Sequence, residues 1–170
     1  IVASRGRAWG AAVTASRKAI YRVFAGLITL AAVCFQYWLL VRGLSGPAAV
    51  RSTIRFFSFF TILSNLIAAA ALLVPPLWPS SALGSFLARP SVRTGIAGYM
   101  VVVGVVYYLL LAGLSERAGL PLIVEHVLHA VTPPLFLLDW LMFVDKRALD
   151  WRGGVASLGF PLVYGAYTLA

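Results

Sequence analysis

The chain has 170 residues, of which 61% are hydrophobic and only 11% charged, with a mean hydropathy of +0.92. A soluble domain carries nearer a quarter charged residues, so the composition excludes a soluble globular fold and points to a single all-α membrane domain over residues 1–170. The net charge of +9 comes without a nucleic-acid-binding motif and sits on residues that flank apolar runs, which excludes a nucleic-acid surface and marks them as membrane anchors and topology signals.

Taken in chain order, the first uncharged run lies between Arg22 and Arg42 and predicts a spanning helix over 19–42. A signal peptide competes, because Arg17, Lys18 and Arg22 precede the run. A signal core is only about 7–15 residues long, and this run is longer. Cys34, the single cysteine, lies inside it and can form no intrachain disulfide. The second run predicts a span over 56–76, ended by Pro75, Pro76 and Pro79, with a loop or interfacial segment after it. The third predicts a span over 94–114, in which Gly95, Gly98 and Gly104 permit close helix contact. The fourth covers 121–144, carries Glu125, His126, His129 and Asp139, and is kinked at Pro133-Pro134. The fifth covers 154–170 and stops without a polar flank, so the chain is expected to be cut before a further helix.

The loops set the orientation. Arg5, Arg7, Arg17, Lys18, Arg22, Arg89, Arg93, Lys146, Arg147 and Arg152 fall on one side; Arg42, Arg51, Arg55 and Arg117 fall on the other. Positive residues favour the cytoplasm, so the N-terminus is expected inside. The aromatic residues agree, with Tyr21, Trp78, Trp140 and Trp151 at the inner boundary and Tyr37 and Trp38 at the outer one. No internal repeat is present.

Polar groups in hydrocarbon are costly unless they are paired or face a cavity, so they carry the functional information. At 100° per residue, Ser58, Thr61 and Asn65 form one stripe within about 60°. Glu125, His129, Thr132 and Asp139 fall within about 80° on the fourth span, with His126 beside them. The i,i+4 pair Glu125–His129 lets the carboxylate hold the imidazole. At about 1.5 Å per residue, Thr61 lies about 8 Å below the outer end of its helix, Asn65 about 14 Å and His129 about 12 Å. Gln36, Tyr107 and Tyr108 fall in the same half, which predicts a shared polar pocket in one leaflet. The competing explanation for Ser58, Gln36 and the tyrosines is separate interhelical hydrogen bonding.

Three chemistries fit this set. A threonine hydroxyl becomes a nucleophile when a base takes its proton, and a histidine on a neighbouring helix is the natural base. Asn65 or a tyrosine would then stabilise the oxyanion, and a lipid ester would suit a pocket at that depth. His126 and His129 with Glu125 alternatively offer a metal site, though not in the order of a zinc protease, and two histidines on one helix cannot clasp a haem. Glu, His and Asp chains also mark proton or solute pathways, although no inverted repeat supports a transporter.

The segment RFFSFFTILSNLI, with Thr61, resembles the threonine-bearing helix of the androgen-induced-gene family of multipass membrane proteins. EHVLHAVTPPLFLLDW resembles that family's His-x-x-His segment, and FTILSN, Phe60 to Asn65, is closest to a pattern in its bacterial members. The resemblance runs from the first helix into the fifth. It implies a six-span all-helical protein of the bacterial cytoplasmic membrane, without cofactor, that hydrolyses fatty acyl esters with Thr61 as nucleophile and His129 as base. His126 matches the family's first histidine. Glu125 stands where animal relatives tend to have asparagine, and Ala130 follows His129 where they have threonine, so the substrate does not carry over.

Overall fold

The computed structural model describes residues 2–114 and 118–169, with the side chains of residues 2–12, Leu111 and Leu114 left aside. The described residues are helical almost throughout. Helix α1 runs Val2–Val41, α2 Gly46–Phe57, α3 Phe60–Leu77, α4 Ala82–Leu87 and α5 Pro90–Val106. Helix α5 continues through a wide π-helical turn, Tyr107–Leu111. After Gly119, α6 (Leu120–His126) passes through a second π turn, Val127–Val131, into α7 (Thr132–Phe143). Two short helices close the chain, α8 (Trp151–Ser157) and α9 (Gly159–Leu169).

Among the described residues, four helical stretches are long and apolar enough to cross a membrane: Val13–Val41, Phe60–Leu77, Pro90–Leu110 and Leu120–Phe143. Each takes in most of one of the first four expected runs. The fifth run, 154–170, is divided at Leu158 between α8 and α9, of 7 and 11 residues, each shorter than the roughly 20 residues of a span. Of the orienting loop residues, Arg117 lies outside the described residues, as do the side chains of Arg5 and Arg7.

Two of the expected boundaries move for local reasons. The span expected from residue 56 begins at Phe60, because Phe59 adopts an extended backbone (φ −82°, ψ 129°) and breaks the chain between α2 and α3. The hydroxyl of Tyr164 bridges the break, accepting from the Phe60 amide and donating to the Ser58 carbonyl, both at 3.0 Å. A side chain thus satisfies a helix terminus that would otherwise expose its donors. Pro75 and Pro76 do not end α3 but sit in its last turn. Pro75 has no amide to offer the Ala71 carbonyl, and Nη1 of Arg93 takes that carbonyl at 2.7 Å.

The core lies in two layers. One gathers Ala25, Ala68, Ala71, Leu72, Ala97, Met100 and Phe136, from α1, α3, α5 and α7. Its alanines let the helices approach closely, as membrane bundles require in the absence of a hydrophobic drive between helices. Gly26 belongs to the same seam: a Cβ there would fall 2.6 Å from Leu73 Cγ. The other layer joins Val33, Phe56, Ile62, Val124 and Leu128. Large apolar residues such as Phe24, Leu109 and Leu141 point outward.

Candidate functional site

Thr61 sits in the first turn of α3, and His129 sits in the π turn between α6 and α7. Their side chains meet, with Thr61 Oγ1 3.2 Å from His129 Nε2. The other ring nitrogen, Nδ1, lies 2.8 Å from the backbone carbonyl of Glu125. A carbonyl only accepts, so Nδ1 carries the proton; Nε2 of the neutral ring is then an acceptor, and the threonine hydroxyl donates to it. The Glu125 group seen to orient the imidazole is therefore its main chain. Tyr107, fully buried, stacks on the ring at 4.2 Å between centroids with 21° between planes. That contact holds the imidazole by its face, while Thr61 meets it at the edge.

The local backbone explains how two helices are held in this register. In a regular helix the Leu128 carbonyl would accept from the Thr132 amide, but that amide bonds Val127, five residues back. The next amide in line would be residue 133, a proline, which has none. The stranded Leu128 carbonyl accepts instead from the Thr132 hydroxyl (3.0 Å) and from Nδ2 of Asn65 (3.3 Å). Asn65 Nδ2 also donates to the Thr61 carbonyl at 2.8 Å, and the Thr132 hydroxyl shares its single proton between the Leu128 carbonyl and Asn65 Oδ1. Asn65 and Thr132 are both fully buried. Asn65 thus has both ends of its amide committed to holding α3 against the π turn. The same amide donates to the backbone of Thr61, which ties the turn that carries Thr61 to this contact. Gly104 completes the packing: a Cβ there would lie 3.5 Å from the His129 carbonyl.

The remaining candidates are spread more widely. Ser58 lies in the α2–α3 break, so the stripe expected with Thr61 and Asn65 is interrupted; its hydroxyl meets Tyr167 and the Ile54 carbonyl, each at 2.8 Å. His126 is exposed, with Nδ1 on the Leu122 carbonyl at 2.8 Å and its ring edge-on to Tyr107. Tyr108 points outward, touching Tyr107. Gln36 has a buried Oε1 with no hydrogen-bond partner among the described residues. Glu125 is buried. Among the described residues, no three His, Cys, Asp or Glu side chains converge as a metal site would need, and Glu125, His126 and His129 form no such group.

Asp139 does not belong with Glu125 and His129. The π turn changes the helical phase, and ten residues further on Asp139 lies in a separate, closed cluster at the other end of the bundle. It accepts from Nε of Arg22 at 2.7 Å and from Nη2 of Arg93. Asp139 is fully shielded, and both arginines are buried. Arg22 and Arg93 read in the sequence as flanking anchors, yet a lone carboxylate inside an apolar run demands cationic partners, and that was the signal for this cluster.

A cleft of about 520 Å³ lies beside α5, with Phe60, Gly98, Val102, Val106, Leu158 and Tyr164 among its lining residues. Its walls are apolar, and Phe60 and Val106 each adjoin a site residue, Thr61 and Tyr107, in the chain. Compared with known proteins, the chain matches no family model, no curated protein and no solved structure.

Proposed function

We propose that this protein is an intramembrane hydrolase of fatty acyl esters, with Thr61 as nucleophile and His129 as general base. The observation that carries the reading is the 3.2 Å approach of Thr61 Oγ1 to His129 Nε2, with Nδ1 held by the Glu125 carbonyl. Nucleophile, base and orienting group stand in the relation that activates a hydroxyl. Attack of Oγ1 on the ester carbonyl sends the hydroxyl proton to Nε2. Cleavage of the carbonyl–alkoxy bond returns that proton to the departing alcohol. Water then cleaves the acyl-threonine by the same base and releases the fatty acid. Membrane-depth placement of the dyad favours a lipid ester over a soluble one. The resemblance of FTILSN and EHVLH to the androgen-induced-gene family points the same way. In this reading the N-terminus is cytoplasmic, 154–170 makes a fifth crossing, and the protein resides in a bacterial cytoplasmic membrane; the distribution of loop cations supports the orientation.

A lipid-binding protein without turnover is the second reading, favoured by the apolar cleft beside α5. Purified protein given a fluorogenic long-chain ester separates the two. Hydrolysis is expected, with Thr61→Ala and His129→Ala each losing at least about 10²-fold. Turnover that survives intact in Thr61→Ala refutes the hydrolase.

A further inference from the structure

Helix α2 was not foreseen as an element, and the candidate site does not use it. Its 12 residues, GPAAVRSTIRFF, connect the spans ending at Val41 and beginning at Phe60, so it lies at one face of the membrane. It is not a loose connection. Phe56 is buried in the core, the Tyr37 hydroxyl meets Thr53 Oγ1 at 3.0 Å, and Tyr37 packs on both Phe56 and Phe57. With one face pinned to α1, the other faces are fixed outward. Val50, Ile54 and Phe57 recur at i, i+4 and i+7, within about 60° of each other. They are 59%, 60% and 45% exposed, a fixed apolar stripe that stays largely open although Phe57 also touches Tyr37 and Phe56.

Arg51 and Arg55 stand one turn apart on the far side of this stripe from Phe56, both exposed. Neither has an ion-pair partner among the described residues, and the sequence contains no Asp or Glu before Glu116. An apolar stripe beside a cationic one, on a helix held at the bilayer boundary, is the pattern of a helix lying in the interface. We infer that α2 is an interfacial helix whose Val50–Ile54–Phe57 stripe enters the acyl region while Arg51 and Arg55 bind the phosphate headgroups of anionic phospholipids.

The inference stands apart from the hydrolase reading, yet it bears on access. Thr61 is only six residues beyond Arg55, in the first turn of α3. Phospholipid esters lie just beneath their phosphates, so a headgroup held at α2 brings its ester level toward Thr61.

The test uses the full chain with Cys34→Ser, so that Ile54→Cys carries the only label. It is reconstituted in vesicles of phosphatidylcholine and phosphatidylglycerol. The fluorophore is expected to be shielded from iodide and quenched by nitroxide-bearing lipid. At equal mole fraction, nitroxide-bearing phosphatidylglycerol is expected to quench more strongly than nitroxide-bearing phosphatidylcholine. Two arginines at an anionic surface give a preference of up to about 30-fold, which Arg51→Gln/Arg55→Gln abolishes and Arg51→Lys/Arg55→Lys retains. Iodide access equal to that of a water-exposed site overturns the inference. So does shielding without quenching by lipid, which means that a second copy or another protein covers the stripe. A preference unchanged in the glutamine variant overturns the headgroup role, and equal far-UV circular dichroism for both double variants excludes misfolding as the cause.

Discussion

Thr132 tests the site most sharply, because it touches neither partner of the Thr61–His129 pair. Thr132→Val keeps the side-chain shape and removes the hydroxyl. The Leu128 carbonyl retains Asn65 Nδ2 at 3.3 Å, but Asn65 Oδ1 loses its donor in a fully buried position. Leaving one buried acceptor unpaired costs about 1–3 kcal/mol, and interhelical hydrogen bonds in membranes contribute about 0.6 kcal/mol on average, with about 1.7 at most. The two ranges overlap at about 1–1.7 kcal/mol. For a chain of this size the loss lowers Tm by about 2–7 °C. The effect on turnover is larger than the effect on stability. Asn65 clamps the Thr61 carbonyl, and a displacement of about 1 Å between nucleophile and base costs about 10²-fold. Thr132→Ser keeps the donor and is expected to stay near wild type in both respects. The assays are thermal unfolding in detergent and turnover of a fluorogenic ester. If the valine and serine variants match in both, Thr132 and Asn65 do not set the register of the site.

Two further outcomes follow from the geometry. Asp139→Asn leaves two buried guanidinium groups without a counter-charge and is expected to destabilise by about 3–5 kcal/mol in thermal or denaturant unfolding. Gly26→Ala drives a Cβ to 2.6 Å from Leu73 Cγ and 3.1 Å from Leu72 Cβ and should cost about 1–3 kcal/mol, whereas Gly98→Ala, with open space around it, should be near neutral by the same unfolding assay.

Much of this was legible because lipid makes polar residues conspicuous. Apolar run lengths located four spans, and the rarity of polar groups inside them drew attention to Thr61, Asn65, Glu125 and His129 before any geometry was known. Two misses share a cause: each treats a helix as uniform. The arithmetic of 100° per residue carried Ser58 into α3 and Asp139 onto the face of His129, but an extended residue at Phe59 and a π turn at 127–131 reset the phase. Helix α2 was overlooked because its arginines were counted only as topology signals. The i, i+4, i+7 spacing of Val50, Ile54 and Phe57 beside them was the available sign.

The prolines tie the two buried polar clusters to one physical cause. An unpaired carbonyl in a bilayer has no water to turn to, so a proline inside a span creates a demand that another part of the protein must meet. At one end, Pro75 strands the Ala71 carbonyl, and Arg93 answers it, which brings α5 against α3 and places a guanidinium where Asp139 can reach it. At the other, the π turn before Pro133-Pro134 strands the Leu128 carbonyl, and Asn65 and Thr132 answer it, which brings α3 against the π turn with Thr61 facing His129. In both places one polar residue that fills the demand, Arg93 or Asn65, comes from a different span, so the backbone defect helps decide which helices pair and in what register. A proline in a membrane span can therefore be read as a locator. The carbonyl four or five residues before it points to where a polar side chain from a neighbouring span must arrive.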